Sequence, residues 1–331
     1  MDFIDLFHCG LNSDKKMKNV NLNNRNGFIL SCIILISAVV ITSCSNEKRE
    51  TLTSGSLTMI TSEDVYPVID IQVKDFQRIY EQTTIINRSS SSRDAIVQML
   101  NDSIKLIVCA RALNAEERRV IAQSNLEVDS IKIAYDGVAV IVNKKNSITK
   151  LTIDELRKLL SGKIQRWSEI KGSSLSSAVI VAMGDPNSGV HEFVKGRVLG
   201  TEKLTSTFYP CSSSTEVFSI VKERPNVIGF VGTSWLSKMP EDNKTLEIAD
   251  PTMKSDSNST AMEYFLPHQA YIYQKFYPLT RTIYIYSHNV GKGVGLGFTS
   301  FAASAEGQKI IVSNGLVPAT MPVRLVQLST P

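Results

Sequence analysis

An α/β fold with largely parallel sheets is what this chain predicts, and three observations carry that reading. Short apolar runs alternate with stretches whose apolar residues recur three and four apart, the signature of strands and amphipathic helices in βαβ units. The length, 331 residues, suits two domains better than one. The composition, 43% hydrophobic and 21% charged, is that of an ordinary globular chain with a sizeable core.

The expected strands, in order, are "LTMI" from 57, "KLIVCA" from 105, "IKIAY" from 131, "GVAVIVN" from 137, "AVIVA" from 178, "VIGFV" from 227 and "TIYIY" from 282. Between them "YPVIDIQVKDFQRIY", "RDAIVQML", "TIDELRKLL", "GVHEFVKGRVL" and "GFTSFAASAEGQKIIVSNG" carry helical spacing. Thr152 and Glu155 stand three apart before Leu156, Leu159 and Leu160, a capping box that starts a helix. Gly315 is a helix stop. Residues 87–96, "NRSSSSRDAI", read as a serine loop leading into a helix, "RALNAEERR" reads as a loop, and 240–260 is polar and loop-like. Trp167 and Trp235 are expected to pack rather than to stack on a ligand, and the tyrosines before Tyr286 alternate as in a two-faced strand.

The N-terminus carries an address. "FILSCIILISAVVI", residues 28–41, is a 14-residue apolar run, short for a membrane span and right for a signal-peptide core. Lys15, Lys16, Lys18 and Arg25 precede it; either Met1 or Met17 starts it, and Met17 leaves a leader of ordinary length. Thr42 and Ser43 then precede Cys44, resembling the lipobox of bacterial lipoproteins. Residues 1–43 are accordingly expected to be a cleaved leader, Cys44 a lipidated first residue and 44–55 a tether. A diacylated cysteine anchors firmly, so a membrane is one expected partner and the cell envelope, as a periplasmic or outer-membrane lipoprotein, the expected location.

Other classes recede. Net charge is +4, of which +3 lies beyond residue 43, too weak and too scattered for nucleic acid. Of five cysteines only Cys109 and Cys211 remain beyond the leader and its anchor, which excludes a disulfide framework. The four histidines lack ligand spacing, so no metal and no cofactor is expected.

"VAMGDPNSGVHEFV", residues 181–194, reads as a strand, a turn and a helix start. A Ser-Gly pair there can hold an anion on free backbone N–H groups. That segment joins an ordered set: "DGVAVIVNKKN" at 136–146, "LTIDELRKLLSGKIQRWSEI" at 151–170, "PNVIGFVGTSWL" at 225–236, "YPLTRTIYIYS" at 277–287 and "FAASAEGQKIIVSNGLVPA" at 301–319. The succession resembles the phosphate-type substrate-binding proteins of bacterial ABC transporters, over roughly residues 56–320. The resemblance implies a type II periplasmic binding protein: two α/β lobes joined by two crossing strands, with a ligand cleft between them. It places 56–136 plus 276–331 in lobe 1 and 137–275 in lobe 2. It also implies inorganic phosphate or a related oxyanion as ligand, an ABC permease as partner and a monomer.

Three loops match the positions at which such proteins hold their anion. Thr61 and Ser62 stand in the first, Ser89, Ser90 and Ser91 in the second, and Asn187, Ser188 and Gly189 in the third. Each also reads as an ordinary helix cap. Three departures stand out. Where the family has an arginine before its Ser-Gly-Thr, this chain has Met183, Gly184 and Asp185, and Val190 replaces the threonine. Near the family's proton-accepting aspartate stands Arg111, the candidate replacement cation. Glu63, Asp64 and Asp185 would repel an anion unless turned away or protonated. Two other classes compete: an envelope sensor or interaction protein with a degenerate cleft, and a hydrolase using Ser188 with His191, for which no nucleophile-elbow sequence is present.

Overall fold

The structure, a computed structural model, describes residues 50–253 and 261–320. The leader and Cys44 lie outside the described residues. The chain opens with β1 (Gly55–Ser62), α1 (Tyr66–Ile79), β2 (Thr83–Ser90), α2 (Ser92–Leu100), β3 (Leu106–Cys109) and α3 (Ala115–Gln123). β4 (Val128–Asn143), β5 (Lys150–Thr152), α4 (Ile153–Leu160), β6 (Ile180–Gly184), α5 (Gly189–Val194), β7 (Thr207–Cys211), α6 (Ser214–Glu223) and β8 (Val227–Gly232) follow. β9 (Asn243–Thr245), β10 (Glu247–Ala249), α7 (Gln269–Tyr273), β11 (Thr280–His288), α8 (Val294–Ala303), α9 (Ala305–Ser313) and β12 (Val317–Pro318) complete it.

The main sheet runs β2-β1-β3-β11-β4-β8-β6-β7. Its two flanks, β2-β1-β3 and β8-β6-β7, are each parallel, as the alternating pattern requires. β11 and β4 join them with antiparallel ladders. β4 belongs to both flanks: residues 128–137 pair with β11 and residues 138–142 with β8. Met59, Phe76, Ile133, Ile285 and Phe298 anchor one core, and Val140, Leu156, Trp167, Val181 and Phe230 another. The fold is the mixed α/β architecture that the pattern predicted.

Several expectations need correction. "IKIAY" and "GVAVIVN" are one strand, because the ladder runs through the turn-type pair Asp136-Gly137, which β11 pairs with Arg281 and Thr280. Ser89 and Ser90 lie in β2, paired with Thr61 and Ser62, rather than in a loop. "RALNAEERR" enters α3 through a capping box between Asn114 and Glu117. β7 was not expected, its sequence interrupted by Pro210, which an end position tolerates. α5 passes into a π-helical turn over Lys195–Leu199, and the long C-terminal helix is two, broken at Ser304, whose hydroxyl caps α9. The end of the tether is packed: the Leu52 carbonyl stands 1.9 Å from where a Cβ on Gly297 would be, so only glycine admits it there. The predicted Thr152–Glu155 capping box is present, with both reciprocal hydrogen bonds made. Both tryptophans pack, Trp167 donating to the Asn226 carbonyl and Trp235 to that of Glu63.

Candidate functional site

The carboxyl ends of parallel strands are where an α/β sheet offers a crevice, because the following helices begin there. β1, β2, β6 and β7 all end at one cavity of about 210 Å³. Glu63 and Asp64 line it after β1, Ser89 through Ser92 from the end of β2 into α2, Gly184, Asp185 and Ser188 to Val190 from the end of β6 into α5, and Cys211 to Ser214 at the start of α6.

Serines start the helices around it. Ser91 caps α2, its hydroxyl accepting from the Asp94 N–H at 3.1 Å. Ser188 caps α5 by accepting from the His191 N–H at 3.1 Å, and Ser213 caps α6 by accepting from the Glu216 N–H at 3.2 Å. Capping leaves the Ser92 N–H of α2 and the Gly189 and Val190 N–H groups of α5 for an acceptor, while the Arg93 N–H goes to the Asn187 carbonyl and the Ser214 N–H of α6 to Glu63. Ser92 differs from the caps. It is fully buried, lines the cavity, and its hydroxyl has no partner among the described residues. An enclosed hydroxyl without a partner is costly, and a ligand atom would relieve it.

Gly189 permits the close approach of the two sides. A Cβ there would stand 2.5 Å from Ser92 Oγ and 2.6 Å from Asp64 Oδ2. Val190, left without a role by the sequence, is 3% exposed and belongs to the core beneath α5. Met183, one of the three residues standing where the resemblance implies an arginine, is likewise buried in that core.

The anionic side chains are held rather than turned away. The Glu63 carboxylate accepts from the Ser214 N–H at 2.8 Å and from the Ser214 hydroxyl at 3.0 Å, sitting on the start of α6. Burial pushes its carboxyl up to about 7, with the Ser214 N–H acting in the opposite direction. Asp64 pairs with Arg281, which also holds Asp136 through Nε at 3.0 Å and Nη2 at 2.6 Å. Thr233 donates its N–H to Asp136, and Ser234 donates its hydroxyl to the Asp64 carbonyl. Asp185 accepts from the Asn187 N–H at 2.7 Å in a local turn.

The sequence candidates therefore divide. Ser89, Ser90, Ser91, Ser188 and Gly189 reach the cavity. Thr61 instead donates to Asn87 Oδ1 at 2.7 Å, and Ser62 is enclosed one residue short of the lining. Asn187 accepts the Arg93 N–H at 3.1 Å through its carbonyl, outside the cavity. Arg111 is also outside: its guanidinium grips Glu117 at 2.7 and 2.8 Å and lies 2.8 Å from Glu192 in an ion pair. Its Nε–H is not aligned for a hydrogen bond to that partner. The Ser188 hydroxyl meets the backbone of His191, not its ring, whose Nδ1 faces the Gly184 carbonyl at 3.3 Å. Sequence reasoning missed Ser92, Ser214 and Arg281. The spacing of Ser213 and Glu216 would have flagged the α6 start.

Residues 46–306 match the family described as the PBP superfamily domain. The phosphate-binding protein PstS of Borreliella burgdorferi is 24% identical over 301 residues, covering 87% of this chain and 98% of that protein. PstS of Bacillus subtilis is also 24% identical, over 89% of this chain and 95% of that one. Among solved structures, a phosphate-bound substrate-binding protein of a putative phosphate ABC transporter from Clostridium perfringens aligns with a TM-score of 0.67 at 22% identity. That alignment covers 80% of this chain and 100% of that one. A phosphate transport receptor from Vibrio cholerae aligns at 0.59 and 18% identity, again over 80% of this chain and all of that one.

Proposed function

This chain belongs to the PBP superfamily, and from that premise we propose that it is the solute-binding component of an ABC transporter, capturing phosphate or a related oxyanion. The single observation that carries the reading is Ser92: a residue with a fully buried, unpartnered hydroxyl in the lining of a cavity ringed by helix N-termini. The names of the relatives, phosphate-binding proteins over most of their length, support it. Residues 56–136 with 276–331 form one lobe in this reading and 137–275 the other, with β4 and β11 crossing between them. Cys44 carries the lipid, the protein is a monomer in the cell envelope, and an ABC permease receives the ligand.

Titration calorimetry of ligand-stripped protein tests the reading. Saturable binding of phosphate at micromolar Kd or tighter, about −8 kcal/mol, is expected, with Ser92→Ala weakening it by the ~1.5–3 kcal/mol of a hydrogen bond to a charged group. No heat from a folded protein with phosphate, sulfate, molybdate or a phosphonate would defeat it. The burial of Met183 and Val190 favours, in that event, an envelope sensor whose cleft has lost its anion contacts.

A further inference from the structure

The charge of the cleft does not suit a bare dianion. Among the described residues that line it, Glu63, Asp64, Asp94 and Asp185 are carboxylates and none is Lys, Arg or His. Arg281 lies against Asp64, but Asp136 shares its charge. Three carboxylate oxygens of the lining stay open among the described residues. Asp64 accepts from Arg281 on Oδ2, Asp185 from the Asn187 N–H on Oδ1 and Asp94 from the Ser91 hydroxyl on Oδ2, while none receives a hydrogen bond on its other oxygen. Beside them stands the enclosed, unpartnered hydroxyl of Ser92, on the first residue of the nine-residue helix α2.

A ligand that satisfies both features carries charge of both signs. We propose that the cleft takes a phosphorus oxyanion bearing an ammonium group, of the class of aminoalkyl phosphonates and amino-alcohol phosphate esters. This rests on the oxyanion reading above. The oxyanion end meets the Ser92 N–H, the first of α2, and the Ser92 hydroxyl, the Arg93 and Asp94 N–H groups being taken by the Asn187 carbonyl and the Ser91 hydroxyl. The ammonium donates to Asp64 and Asp185. These carboxylates also serve as the repulsive element against a ligand that brings only negative charge. The cavity of about 210 Å³ corresponds to roughly seven waters at about 30 Å³ each, room for a short carbon arm beside a tetrahedral head.

The test is titration calorimetry on the full chain in mild detergent, at one pH and ionic strength, with 2-aminoethylphosphonate, ethylphosphonate and inorganic phosphate. The amine-bearing ligand is expected to bind at least about tenfold tighter than ethylphosphonate. Asp185→Asn, which keeps an oxygen for the Asn187 N–H, is expected to shrink that ratio to about threefold or less. Asp64→Asn does the same if it folds, but it also disturbs Arg281, so Asp185→Asn carries the decision. Ethylphosphonate or phosphate binding as tightly as the amine overturns the inference and leaves the oxyanion reading standing. A preference that survives Asp185→Asn undiminished overturns the pairing with that carboxylate and the inference with it. Binding of none of the three by a folded chain removes the oxyanion reading and this inference together.

Discussion

Two arginines in this protein sit between paired carboxylates, and their surroundings make them unlike. Arg281, at the base of the cleft, is 2% exposed, with Asp64 at 4% and Asp136 at 0%. Arg111, at the rim, is 7% exposed, with Glu117 at 12% but Glu192 at 39%. The base triad ties the segment after β1 to β4 and β11, the strands that run between the two flanks. Its members are desolvated together, so each needs the others. The rim triad joins the loop after β3 to α5, and its outermost partner is half in water. High dielectric and side-chain entropy make such a contact weak and easily parted. The same residue types thus build a permanent joint in one place and a separable contact in the other.

Substitutions sharpen that contrast. Arg281→Leu leaves two buried carboxylates facing each other, and a loss of about 3–5 kcal/mol in denaturant unfolding is expected; a loss near that of a surface pair would erase the distinction. Gly189→Ala drives a methyl into Ser92 and Asp64, and an overpacking cost of about 1–3 kcal/mol is expected together with weakened phosphate binding. Unfolding at the wild-type midpoint would show that α5 gives way freely.

Glu63 predicts a pH effect. Its folded carboxyl is raised from 4.5 to about 7, so the folded state holds its proton where the unfolded state has lost it. Stability from this group is therefore fully present below pH about 4.5 and declines as pH rises toward about 7, flattening above. Glu63→Gln should remove that slope from a series of thermal melts, and an unchanged slope would take Glu63 out of the account. The smallest effect belongs to the rim. Glu192→Gln should change unfolding by about 0–1 kcal/mol, an amount that shrinks further in high salt. A loss as large as that of Arg281→Leu would mean that the rim is as fixed as the base.

Much of the scaffold was legible in the sequence. Runs such as "VIGFV" and "KLIVCA" are apolar on both faces because parallel strands are covered on both sides. The Thr152–Glu155 box marks its helix because its hydrogen bonds close within four residues. Ser91 and Ser188–Gly189 were legible for the same local reason, since serine and glycine suit helix starts, whereas Ser89 and Ser90 lie in β2. The errors share one cause. Arg111 looked like a free cation because Glu117, six positions on, grips it only once α3 is folded and capped, and Glu192 stands 81 positions on. Ser92 looked like one serine among four, and only the approach of Gly189 and Asp64 encloses it. Local chemistry, caps and periodicity, was determined by sequence alone, because those interactions span a few residues. Which hydroxyl is left unpartnered, which arginine is neutralised and which carboxylate sits on a helix start were decided by tertiary structure. Desolvation and pairing depend on residues that meet only when β4 and β11 bring the two flanks of the sheet together.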